Sequence, residues 1–458
     1  MSDVAVYRKR RGVEAVLLLF SIATAMAGYL LTGLDIDAEL PAEWPWALGI
    51  FTGLALAAHI VVRIRIPYAD PVILPLIMLL NGLGLAVIHR LDLGGSERLH
   101  SAERQLGWMV GAVVVFCLVV IFLRNYEALH RYPYLLFLFG LTLLMLPLVP
   151  GLSRENHGSK IWIAIGTFTF QPAEVAKIVL CIAFAAYLVD KREVLASAGP
   201  KLLGIEMPRA RDLGPIAIMW LASMAIMVFQ KDLGTSLLFF SMVVVMLYIA
   251  TERPIWPILG TLLFAGGATA AYFNFSHVQV RVSSWLNPFS DYDQNYQIIT
   301  GQFGIAWGGA IGTGWGLGRP NLTPLAKTDF IAAALAEELG LAGLVALMLV
   351  YAIIVARGLR AALGSQDPFG KLLAAGLSFT FAIQVFTILG GVTRLLPLTG
   401  LTTPFMSQGG SSLVANWSMM ALLLIITHHA RRPQQLRSET PIIDFTSDTT
   451  MVLQRQGA

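Results

Sequence analysis

The chain has 458 residues, 56% of them hydrophobic and only 13% charged, with a mean hydropathy of +0.69 and a formal net charge of +4. Soluble globular chains carry about 25% charge, so this one cannot cover itself with polar surface, and lipid must solvate much of it. So small an excess of positive charge gives no electrostatic case for nucleic acid. Cys117 and Cys181 each sit in an apolar run and offer neither a disulfide framework nor a metal-ligand spacing.

Arg8 to Arg11 before an apolar run resembles a signal peptide. The run continues to Leu31, long enough to span a bilayer, so an uncleaved first helix is expected. In chain order, runs of spanning length fall at about 13–33, 46–63, 69–89, 106–123, 133–149, 174–190, 213–229, 233–251, 254–275, 329–356, 372–392 and 410–428. They lack barrel-like alternation, which predicts an all-α polytopic membrane protein of about twelve helices. With the N-terminus placed inside, the inner segments hold 20 Lys and Arg and the outer ones 10, so both termini are expected in the cytoplasm. Residues 433–458 read as a disordered cytoplasmic tail. The longest loop, 276–328, faces outside, holds eight glycines and reads as an unstructured lid or binding segment.

The polar motifs map to that outer face. Glu174 and Lys177, three apart, share a helix face. Opposite charges so placed imply either an ion pair locking helices together or a cation presented to an anionic substrate. Asp232 and Asp329 each open a helix, where an acid can serve as cap or dipole partner. Asp329 follows the long glycine-rich loop and favours function. A helix N-terminus weakens a carboxylate base, so burial or nearby acids such as Glu337 and Glu338 would have to offset it. Gly409-Gly410-Ser411-Ser412 at a helix start offers backbone N–H groups to an anion, with Arg394 on the preceding outer loop. No zinc-protease, Walker or nucleophile-elbow motif is present.

The strings GSKIWIAIGTFTFQPAEVAK, QKDLGTS, YQIITGQFGIAWGGAIGTGWGLG, KTDFIAAALAEELGLAG and LPLTGLTTPFMSQGGSSL resemble the SEDS family of RodA, FtsW and SpoVE. The resemblance covers roughly residues 67–432, with the first 66 as an added helix pair on a ten-helix core, and leans toward actinobacterial RodA-type members. It implies a peptidoglycan glycosyltransferase for cell elongation and shape, located in the bacterial plasma membrane with an extracytoplasmic active site. Division-type FtsW activity and lipid II flipping are the alternatives, and an inert scaffold is a third. The family's catalytic aspartate falls on Asp329, and its substrate-site positions on Trp162, Glu174, Lys177 and Asp232. Lys160, Arg281, Gln297, Arg394 and Ser411 complete the candidate substrate-binding set. Ile161, Lys231 and Gln408 depart from the family's usual basic residue, proline and tyrosine. The implied partners are lipid II, undecaprenyl pyrophosphate and a class B penicillin-binding protein. A divalent cation could assist, although the sequence shows no site for one.

Overall fold

The computed structural model describes residues 9–94, 100–156, 159–165, 168–196, 201–202, 205–206 and 210–433. The expected tail lies outside them, apart from Pro433. An N-terminal pair, α1 (Arg11–Asp37) and α2 (Trp44–Arg65), precedes α3 (Ile73–Leu93), α4 (Ser101–Phe122) and α5 (Pro133–Met145). Next come α6 (Pro172–Ala196), α7 (Ala210–Gln230), α8 (Leu233–Thr251) and α9 (Ile255–Asn274). The chain closes with α10 (Ser276–Leu286), α11 (Tyr292–Gly308), α12 (Ile331–Gly364), α13 (Pro368–Val392) and α14 (Gly410–Arg431).

Ten of these helices are long and apolar enough to cross a membrane, and the apolar segments 133–148 and 217–230 are shorter. All twelve expected runs are therefore helical. One expectation needs correction. The segment 276–328 is not structureless, since it contains α10 and α11. In the outer loop before α6, β1 (Ser153–Asn156), β2 (Ser159–Ile165) and β3 (Phe168–Phe170) form a small antiparallel sheet with Arg154 opposite Trp162 and Ile163 opposite Phe170.

Helices α3, α6, α13 and α14 are largely enclosed, whereas α9 is almost wholly exposed along its length. The enclosed group packs closely where side chains vanish. A Cβ on Gly84 of α3 would lie 2.5 Å from the Met406 carbonyl oxygen, and small residues of this kind let backbones approach in a membrane. Helices α1 and α2 lie against α3 and α4. The fully buried Glu14 carboxylate of α1 holds α2 through His59, at 2.7 Å, and Arg63.

Helix α12 is broken at Gly340, whose φ of 68° lies in the left-handed region. A break within a bilayer strands backbone groups that water cannot reach. The glycine-rich stretch after α11 supplies partners: Leu341 and Ala342 amides donate to Gly309 and Ala310 carbonyls at 2.9 and 3.0 Å. In return, Thr313 and Gly314 amides donate to Glu337 and Glu338 carbonyls, both at 3.1 Å. Arg90 of α3 clamps the same stretch through Glu338 (2.8 Å) and the Gly316 and Gly318 carbonyls (3.0 and 2.8 Å). Gly340→Ala should lower the unfolding temperature markedly in detergent. Its Cβ would meet the Gly312 nitrogen at 2.3 Å, on top of about 1–2 kcal/mol of left-handed strain. An unchanged melting curve would show that the inserted stretch relaxes freely.

Candidate active site

The turn between α11 and α12 is fastened on its flanks, which fixes where Asp329 points. Lys327 donates to Asp92 of α3 and, at 3.2 Å, to Ser101 of α4. Its carbonyl accepts the Gln408 amide at 2.8 Å, and the Thr328 carbonyl accepts the Ser407 hydroxyl at 2.5 Å. On the other side Phe330 is fully buried, its ring filling the space beside Gly301 of α11. Asp329 itself is half-buried, and a Cβ added to Gly400 would lie 4.0 Å from its Oδ2.

Residues 398–401 join Asp329 to its neighbours. Arg281 of α10 donates from Nη1 to the Leu398 and Thr399 carbonyls, each at 3.0 Å. Gly234, the second residue of α8, abuts Leu401 and the Thr399 carbonyl. Just before it, Asp232 caps α8 through Oδ1, accepting the Thr235 amide at 2.9 Å. Its Oδ2 is buried without a partner. Burial pushes the Asp329 carboxyl up to about 6, with Arg281 opposing the rise through its positive charge. Burial also raises Asp232, opposed by its hydrogen bonds to Thr235 and by Arg281. The offset required at a helix start thus comes from desolvation. Glu337 and Glu338 are occupied elsewhere, by the Arg319 amide (2.6 Å) and by Arg90.

Glu174 and Lys177 are both buried and pair at 2.6 Å. Lys177 also donates to Gln384 of α13 at 2.8 Å and Asn416 of α14 at 3.3 Å. Its three ammonium protons all have protein acceptors, so direct contact with an anion would displace one of them. The arrangement supports a lock between α6, α13 and α14. Neither amide was singled out from the sequence, although each interrupts an apolar run where a polar group is expensive. Lys177→Met should therefore lower stability by about 3–5 kcal/mol, because Glu174 is left buried and unpaired. A raised KM for the glycan precursor with an unchanged melting temperature would instead mark a substrate contact.

The remaining candidates are less tightly gathered. Gln297 Nε2 on α11 and Ser411 Oγ at the start of α14 are buried without partners. Its neighbour Ser412 accepts from Thr402 (2.8 Å) and Asn416 (3.2 Å). Arg394 is exposed and donates to the Leu286 carbonyl at 3.4 Å, beside α10. Lys160 is exposed and Trp162 half-buried on β2, whose sheet packs near α6, α7 and α14. No hydrogen bond among the described residues ties these two to Asp329. Nor does any group of three His, Cys, Asp or Glu side chains converge among the described residues, and the charge facing both Asp329 and Asp232 is Arg281.

The profile of the FtsW/RodA/SpoVE cell cycle proteins matches residues 71–432. The chain belongs to this family. It is 48% identical to "Peptidoglycan glycosyltransferase RodA" of Mycobacterium bovis, over 97% of this chain and 96% of the relative. It is 30% identical to "Stage V sporulation protein E" of Bacillus subtilis, over 79% of this chain and 98% of that one. Among solved structures, a chain from a study of a "peptidoglycan synthase complex" superposes with a TM-score of 0.64 at 24% identity, covering 80% of this chain and 99% of its own. Thermus thermophilus RodA superposes at 0.55 and 23% identity, covering 80% and 98%. The family match begins after α2, leaving the N-terminal pair outside it.

One departure from the family strings has a structural consequence. Lys231, where the family's usual residue is proline, has a φ of 58° and donates its amide to the Val228 carbonyl at 3.1 Å. Proline can do neither, so this turn into Asp232 would not accept a proline at position 231.

Proposed function

We propose that this chain is a peptidoglycan glycosyltransferase that polymerises lipid II into glycan strands and releases undecaprenyl pyrophosphate. The carrying observation is the Asp329 carboxyl, poised near neutrality beside Arg281 in the KTDF segment of a family member. The Lys and Arg bias supports an orientation with this end of the bundle outside the cytoplasm. The 48% identity to a RodA supports a role in cell elongation over the division-type alternative. Residues 1–66 form an appended pair, 67–432 the catalytic core.

In this reading Asp329 takes the proton from the acceptor's GlcNAc 4-hydroxyl. The oxygen attacks the anomeric carbon of the donor MurNAc from the face opposite the pyrophosphate, so the α-linkage becomes β in one displacement. Pyrophosphate is already a good leaving group, so one carboxylate suffices where glycosidases use two. Arg281 holds the 398–401 segment in place and, with Arg394, offers positive charge to the developing pyrophosphate. Incubating the purified protein with lipid II in detergent and separating the products by length tests the assignment. Polymer is expected, and its absence under all lipid and partner conditions would overturn it.

The base assignment carries a pH signature. Turnover should fall about tenfold per pH unit below a midpoint near 6 and level off above it. Because Arg281 holds Asp329 down, Arg281→Gln should move that midpoint upward as well as lowering the plateau. A midpoint that stays in place would remove Arg281 from the electrostatics of the base.

RodA-type proteins act with a class B penicillin-binding protein, and we assign that partner here. The apolar groove between α12 and α13, about 470 Å³, runs from Leu359 and Ala356 past Ala382 and Phe386 to Leu395. It offers a single transmembrane helix a long apolar seat, with Ala352, Ala356, Ala382 and Gly390 allowing close approach.

A further inference from the structure

At the end of α14 remote from Ser411, the ends of three helices enclose a second basic site. Helix α14 has 22 residues, so at 1.5 Å per residue this site lies about 33 Å from the Ser411 end. It is a pocket of about 200 Å³ lined by Arg65, Arg124, His428, His429 and Arg432 over a floor of Ile66, Val120 and Leu123. No carboxylate lines it. Asp70, a buried acid at the same end of the bundle, is fully enclosed and already paired with Arg431 and, at 3.7 Å, with Arg357.

Part of this charge has a structural task. Arg65 caps α4 by donating to the Ile121 carbonyl at 2.5 Å, and His429 Nδ1 lies 2.9 Å from the Ile425 carbonyl. The rest does not. The Arg124 and Arg432 guanidiniums have no hydrogen-bond or ion-pair partner among the described residues. His428 is only 7% exposed and accepts the Tyr68 amide on Nδ1 at 3.1 Å. Its proton therefore sits on Nε2, an N–H with no acceptor among the described residues. The Nε2–H of His428 at the back, the Arg124 and Arg432 guanidiniums at the mouth and an apolar floor form a receptor for a phosphate ester. Ile64 and Phe122 beside the pocket are 71% and 77% exposed, so its rim opens toward lipid.

We propose that this pocket binds the phosphate of an anionic phospholipid in the leaflet opposite the Asp329 face. The head group would sit between Arg124, Arg432 and His428, with the acyl chains along Ile64 and Phe122. Basic pockets between transmembrane helices are suited to such head groups, and binding to the folded state alone would stabilise the bundle.

The test uses the full chain in nanodiscs of phosphatidylcholine with or without phosphatidylglycerol, and in phosphatidylcholine with added inorganic phosphate. The expected result is an unfolding temperature several degrees higher with phosphatidylglycerol. Arg124→Gln combined with Arg432→Gln should abolish that rise without changing the unfolding temperature in phosphatidylcholine alone. Arg360→Gln, an exposed charge on the same side outside the pocket, should keep the rise. A rise lost equally in Arg360→Gln would mean a diffuse surface field and overturn the site. So would equal stability in both lipids. A rise with inorganic phosphate that the double variant abolishes would support the phosphate chemistry and make free phosphate the ligand. If the double variant unfolds early, Arg124→Gln and Arg432→Gln taken singly must each weaken the rise.

Discussion

Asp329→Asn is expected to abolish polymer formation from lipid II while leaving the unfolding temperature at neutral pH no lower than that of the parent chain. The first half follows from the base assignment, since the amide keeps the shape and loses the proton acceptor. The second half follows from the direction of the pKa shift. An aspartate titrates near 3.9 in an unfolded chain, and burial moves Asp329 to about 6 in the folded one. The folded state therefore holds its proton more tightly, and that contribution is complete below about pH 4. It is lost as the pH rises through 6. At neutral pH the ionised, half-buried carboxylate is a net cost, and asparagine removes it. Asp232, which burial also raises, differs in serving as a cap. It caps α8 through the Thr235 amide, so Asp232→Ala should lose about 0.5–2 kcal/mol of stability. Normal glycan synthesis by Asp329→Asn would end the base assignment. A melting temperature well below the parent would show that Asp329 is a structural cap.

What the sequence made legible follows from how local the relevant physics is. Each of the twelve apolar runs became a helix because solvation by lipid depends on a continuous stretch of residues. Asp329 was legible because its motif is contiguous. The 276–328 segment was misread because α10 and α11 bury little and carry no spanning run, and eight glycines look like loop. Those glycines instead let the backbone enter the break at Gly340, a pairing between residues 24 or more positions apart. Lys177 shows the same limit. Spacing revealed Glu174, but Gln384 and Asn416 lie 207 and 239 positions away, and only the expense of an amide in an apolar run pointed to them. The attachment of α1 was equally hidden: Trp315 Nε1 donates to the Gly28 carbonyl at 2.8 Å and Thr32 at 2.9 Å.

The purified chain alone should polymerise poorly, and its complex with the class B transpeptidase should polymerise well. Helix α10 carries Arg281 toward Asp329 and α11 packs along α12, and both helices are also hydrogen-bonded to the 392–399 segment. Arg281 reaches the Leu398 and Thr399 carbonyls, Trp285 donates to the Arg394 carbonyl at 3.1 Å, and Gln302 donates to the Val392 carbonyl at 2.6 Å. That segment continues α13, one wall of the apolar groove, and Thr393 and Leu395 form the groove's outer end. A partner helix seated there would bear directly on the anchor of α10 and α11 and bias the position of Arg281. Ala382→Trp, which fills the groove, should therefore leave the low basal rate unchanged and remove the stimulation. The measurement is polymer yield at equal lipid II for the chain alone, for the complex, and for a complex whose transpeptidase serine is replaced. Stimulation that survives loss of the serine but not Ala382→Trp would mean that binding in the groove carries the effect. Equal yield in all samples would mean that the α10–α11 segment needs no partner, and stimulation lost with the serine would transfer the effect to crosslinking chemistry.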